Sequence, residues 1–142
     1  MSGGYRELVR SRHDMTDFDT VLTEAALGIA SESGEFAQCV RKRLYENERL
    51  NAGEMILELG DIIHYYHLAI LAMQKKYNVS SKTVQLINEV KCFTRDRGFY
   101  DIFQDGIMAI DFENMRDDMI MQYIDAIVEE INERIEFGNT KK

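Results

Sequence analysis

A chain of 142 residues, 45% hydrophobic and 30% charged, is long enough to bury a core and too apolar to be disordered. Seventeen Lys and Arg against 25 Asp and Glu leave a formal charge of -8. That balance disfavours general binding to nucleic-acid backbones, but a metal ion can invert the local field and admit a small anionic ligand. The absence of proline, with nine glycines and abundant Ala, Leu, Ile, Met and Glu, predicts an all-α fold in a single domain over residues 1–142.

Residues 2–14 are polar, carry Gly3 and Gly4, and read as a loose arm without the apolar core of a signal peptide. Thr16 is placed to cap a first long helix over residues 17–40. Its apolar positions Phe18, Val21, Leu22, Ala25, Ala26, Ile29, Ala30 and Ala37 recur at intervals of three and four. Gly28 and Gly34 inside it each cost about 1 kcal/mol of helix propensity, so they predict close helix approach or room for a ligand. The polar segment 45–53 suits a connection between antiparallel helices. A second helix follows over residues 52–77, with Met55, Ile56, Leu59, Ile62, Ile63, Tyr66, Ile70 and Met73 as a broad apolar stripe.

Asn78 marks a turn, Ser80 or Ser81 can cap the next element, and residues 84–93 read as a shorter third helix. Residues 98–112 are aromatic-rich and show no clean period. A last helix is expected over residues 113–137, its acidic run being a solvated face, with Gly138 ending it. The expected product is an antiparallel bundle of about four main helices. Cys39 and Cys92 lack CxxC spacing and read as small buried hydrophobes. The nearly apolar stretch 62–73 is interrupted by His64 and His67 and is shorter than a membrane span, so the expectation is a cytoplasmic protein.

Chemistry concentrates in two acidic pairs. Glu32 and Glu35 are three residues apart on the first long helix, and Glu58 and Asp61 are three apart on the second. That spacing sets each pair on one face, and antiparallel packing brings all four together. Gly34 and Gly60, each preceding the second member of its pair, would let the helices approach there. Four neighbouring carboxylates repel, and a hard divalent cation relieves that repulsion; Mg²⁺ fits an all-carboxylate shell completed by water and phosphate. Asp61 and His64 superficially resemble the Glu-x-x-His of di-iron bundles. No second such pair follows Glu32 or Glu35, which argues against that chemistry. His64 and His67 read as a partly buried pair or pocket lining. Lys42, Lys91, Arg95 and Arg97 are potential phosphate contacts.

Glu32-Ser-Gly-Glu35 followed after 22 residues by Glu58-Leu-Gly-Asp61 resembles the signature of the MazG-like all-α nucleoside triphosphate pyrophosphohydrolases, which include dimeric dUTPases and helical dCTP pyrophosphatases. The stretch Asn88-Glu-Val-Lys91 with Arg95 is similar to a motif that lies over the phosphates in that superfamily. The likeness covers about residues 22–96. It implies Glu32, Glu35, Glu58 and Asp61 as ligands of Mg²⁺, with Mn²⁺ as a substitute. One Glu, Glu32 or Glu35, would also orient the attacking water, making these two the catalytic residues. The implied reaction cleaves between the α and β phosphates of a nucleoside triphosphate, giving the monophosphate and pyrophosphate. Lys42, Asn88, Lys91 and Arg95 would contact substrate, and Tyr65 resembles an aromatic placed beside the sugar or base. Relatives are commonly homodimers or homotetramers, whereas neither nucleic acid nor membrane is an expected partner. Ser31 departs from the pattern, since relatives often carry an acid there. The alternative is a non-catalytic helical interaction or regulatory protein that retains the fold.

Overall fold

The computed structural model describes residues 4–140 and shows only helices and connections among them. Six helices are present where about four main ones were expected: α1 (Gly4–Ser11), α2 (Phe18–Tyr45), α3 (Ala52–Met73), α4 (Ser81–Asp96), α5 (Tyr100–Met108) and α6 (Asp117–Thr140). They gather into two compact units, residues 1–76 and 77–142.

The first unit is built on α2 and α3. Asp17, rather than Thr16, caps α2, its carboxylate accepting from the Thr20 N–H at 3.3 Å; a carboxylate there also complements the helix dipole. Asn51 caps α3 in the same way, accepting from the Glu54 N–H at 3.2 Å. Between them Asn47 takes a left-handed φ of 52°, a conformation Asn tolerates better than most residues. Gly28 faces Tyr65 and Glu32 faces Asp61, so numbers rise along α2 as they fall along α3. The pair is therefore an antiparallel hairpin. Its core joins Val21 and Ala25 to Leu68, Leu71 and Ala72.

The expected loose arm is instead helical from Gly4. The side chain of Val9 is completely buried in the same core, because Tyr5, Leu8 and Val9 fall at helical spacing and give even this basic segment an apolar edge against α3. Burial of a side chain this size stabilises by about 1.5–3 kcal/mol, enough to hold a short helix that would not form alone. The link after it is tied by Asp14, which accepts from the Thr16 N–H at 3.1 Å; hydrogen bonds from the Thr16 side chain and backbone lower the Asp14 carboxyl below its ordinary value.

The second unit packs α4, α5 and α6 around Val90, Phe103, Ile110, Ile120 and Ile124. Ser80 and Thr83 form a capping box at the start of α4, and Thr83 also donates to Asp117. Gly98, with φ 80°, closes α4: its N–H reaches Arg95 O at 3.2 Å and the Phe99 N–H reaches Thr94 O at 2.8 Å, a Schellman turn. That turn launches α5 inside the aromatic stretch that showed no clean period. Helix α6 begins at Asp117, four residues later than expected, because 111–115 form a turn. Asp111 accepts from the Asn114 side chain at 2.8 Å, and Asn78 donates to the carbonyls of Glu113 and Met115 at 3.1 and 2.7 Å. Gly138 does not end α6, which continues to Thr140. Cys39 and Cys92 are free thiols and half-buried rather than buried.

Candidate metal centre

Glu32 on α2 and Glu58 and Asp61 on α3 each offer a carboxylate oxygen within 4.8 Å of the others. The antiparallel register makes this happen: the i, i+3 pair of one helix lies opposite the i, i+3 pair of the other. Glu32 and Glu58 are half-buried, and Asp61 is exposed. Glu35 lies outside this group of three, one turn further along α2 and exposed, yet close enough to act on Glu58. The Glu58 carboxyl is raised above its ordinary value, first by desolvation, then by the charges of Glu35, Glu32 and Asp61, with a hydrogen bond to Glu32 adding to them. Among the described residues none of the four carboxylates forms an ion pair with Lys, Arg or His. An all-oxygen donor set with no protein cation to neutralise it suits a hard divalent ion.

The close approach that supports the site comes from Gly28. A Cβ at Gly28 would lie 2.2 Å from Cδ1 of Tyr65, so the absence of a side chain seats the tyrosine ring against α2. Gly34 and Gly60, expected to serve the same end, have open space where a Cβ would stand.

An open cleft of about 510 Å³ adjoins the carboxylates, lined by Glu32, Asp61, His64 and Tyr65 and, from α1 and its following link, by Leu8, Arg12 and His13. The last three escaped the sequence reading; the Tyr5, Leu8, Val9 spacing was the signal that a helix lay there. His13 Nδ1 donates to Glu24 Oε1 at 2.7 Å, and its Nε2 lies 2.8 Å from Nε2 of His64. His64 is thus pocket lining, and burial, helped by the nearby His13 and Arg12, lowers its imidazole below the ordinary value against the opposing pull of Asp61 and Glu24. His67 is half-buried beneath Tyr5, with ring centroids 5.2 Å apart, and is lowered by burial and by Arg6. No family model, curated protein or solved structure matches this chain.

The remaining expected substrate contacts are placed differently. Lys42 is half-buried on α2, seven residues beyond Glu35, which at about 1.5 Å per residue is roughly 10 Å along the helix. Asn88, Lys91 and Arg95 stand on α4 in the second unit, at positions i, i+3 and i+7 of one helical face. Asn88 and Arg95 are exposed and Lys91 is half-buried. Arg97, also raised as a phosphate contact, stacks on the ring of Phe93 at 3.8 Å and donates to its carbonyl at 3.0 Å.

Proposed function

We propose that the chain is a Mg²⁺-dependent nucleoside triphosphate pyrophosphohydrolase of the MazG-like type, cleaving between the α and β phosphates. The observation that carries this reading is the convergence of Glu32, Glu58 and Asp61 from two helices, none of them in an ion pair with Lys, Arg or His among the described residues. In it those three carboxylates hold the ion, with Mn²⁺ as a substitute, and Glu35, beside them but outside the ligand group, orients the attacking water. Bound there, the ion supplies Lewis-acid chemistry to the phosphate oxygens. Tyr65, fixed against Gly28 at the cleft, offers a face to the sugar or base. Lys42, Asn88, Lys91 and Arg95 enter as phosphate contacts on the strength of the sequence resemblance. Arg12, which lines the cleft and makes no ion pair among the described residues, is a guanidinium suited to phosphate oxygens. The active form in this reading is a homodimer or homotetramer in the cytoplasm.

The test is a panel of ribo- and deoxyribonucleoside triphosphates incubated with the purified chain, with and without Mg²⁺. Monophosphate and pyrophosphate should appear only with the ion. Glu35→Gln and Asp61→Asn should each slow turnover by about 100-fold or more, the scale on which a positioned proton acceptor or charge stabiliser acts. No turnover of any nucleotide, or turnover indifferent to both substitutions, would leave the non-catalytic interaction protein as the better reading.

A further inference from the structure

The carboxylates make up one end of the cleft; the other end is made of nitrogen. His13 comes from the link after α1, Glu24 from α2 and His64 from α3, and all three meet. The Nε2 atoms of the two imidazoles converge at 2.8 Å while Glu24 Oε1 takes the His13 Nδ1 proton at 2.7 Å. The side chain of His13 is 9% exposed, so this arrangement is held by packing, whereas the cleft side remains open to water. We propose that His13 and His64 form a binding site for a borderline first-row divalent cation such as Co²⁺, Ni²⁺ or Zn²⁺, distinct in chemistry from the carboxylate centre.

Three features support the site. A carboxylate that accepts one ring N–H of a histidine fixes the tautomer whose other nitrogen carries a lone pair, which is the outer-shell arrangement metal-ligating histidines use. Glu24 does this for His13. Second, metal–nitrogen bonds of about 2.0–2.1 Å in a tetrahedral site put two nitrogens about 3.3 Å apart, so the imidazoles need part by only about half an ångström to admit an ion. Third, the paired nitrogens border the open cleft, so water can complete the shell of an ion held between them. Local charge favours a cation: Glu24, Glu32 and Asp61 outnumber the one guanidinium, Arg12. Imidazole nitrogen selects such ions over Mg²⁺, so the two ends of the cleft would sort cations by hardness.

The inference stands apart from hydrolysis, and its test needs no nucleotide. The full chain, stripped with chelator, is titrated with Co²⁺ at neutral pH in excess Mg²⁺, followed by calorimetry and by visible absorption. A single Co²⁺ should bind with d–d absorption; His13→Ala and His64→Ala should each abolish it. Glu24→Gln should weaken it about 10–100-fold, the usual cost of losing an outer-shell partner. Glu32→Gln and Glu58→Gln should leave it intact. Because His13→Ala also loosens the link, the unmutated protein supplies a second readout: Co²⁺ should shift and broaden the ring-proton resonances of His13 and His64. No Co²⁺ bound in excess Mg²⁺, binding kept by both histidine variants, or unmoved ring resonances would each overturn the site and leave a hydrogen-bonded tie.

Discussion

At the residue scale Gly28 and Gly60 make opposite demands. Both sit inside long helices, where alanine is favoured over glycine by about 1 kcal/mol. At Gly60 nothing lies within 4 Å of an added Cβ, so Gly60→Ala should realise that gain and raise the melting temperature. At Gly28 the added atom meets Cγ and Cδ1 of Tyr65 at 2.3 and 2.2 Å, atoms too near the root of the side chain to swing clear cheaply. Overpacking of this kind costs about 1–3 kcal/mol, so Gly28→Ala should be neutral to about 2 kcal/mol destabilising in spite of its better propensity. Calorimetric unfolding of the two variants side by side decides the matter. Equal stabilisation by both would mean that Tyr65 is not held by contact with α2. The sequence offered three helical glycines near the acids, and only a distance distinguishes the one that is packed from the two that are not.

At the element scale α1 is the piece whose attachment is most conditional. It docks through Val9, through the Tyr5–His67 ring contact and through the His13–His64 link. Both His64 and His67 are held below their ordinary value of 6.5, so near that pH the unfolded chain binds more protons than the folded one. Stability then rises with pH: these two groups contribute fully above 6.5, and the contribution drains away as pH falls below it toward the folded values. Acidification should therefore release α1 before it unfolds the α2–α3 hairpin. Val9→Asp, which leaves a buried charge unbalanced at a cost of about 3–5 kcal/mol, should release it at neutral pH. Amide exchange that accelerates in α1 ahead of α2 and α3 under either treatment is the expected result; uniform acceleration would show that α1 is not a separate unit of stability. What was legible in the sequence follows the same division. The α2–α3 hairpin and its acidic pairs could be read because a long apolar stripe and i, i+3 spacing repeat over many turns. Helix α1 was hidden by Gly3, Gly4 and a basic composition, and α5 by an aromatic mixture whose period is set by packing on α6, where a Cβ added at Gly106 would stand 2.6 Å from Cδ1 of Ile127. Short helices owe their existence to tertiary burial, which local pattern does not encode.

At the scale of the whole molecule the unbalanced quantity is exposed apolar surface on α3. At about 100° per residue, Ile56, Leu59 and Ile63 share a stripe on the side turned away from Glu58, Asp61 and Tyr65, and they are 67%, 44% and 48% exposed. By length and composition this helix could cross a membrane. Glu58 and Asp61 lie at its middle, though, and Glu32 of α2 is set against them, so immersion would carry three carboxylates into hydrocarbon at several kcal/mol. We propose that a second copy of the chain covers the stripe without that cost, the homo-oligomer of the functional reading above. Covering one large aliphatic side chain is worth about 1.5–3 kcal/mol, and each 1.4 kcal/mol is tenfold in affinity. Ile56→Lys with Ile63→Lys should therefore weaken association by about a hundredfold or more while leaving the acid face of α3 in place. Light scattering across a dilution series should show the parent chain as a dimer or larger and the double variant as a monomer. A parent chain that stays monomeric but sediments with phospholipid vesicles would instead assign the stripe to a bilayer surface, with the carboxylates kept on the water side by the same rotation about α3.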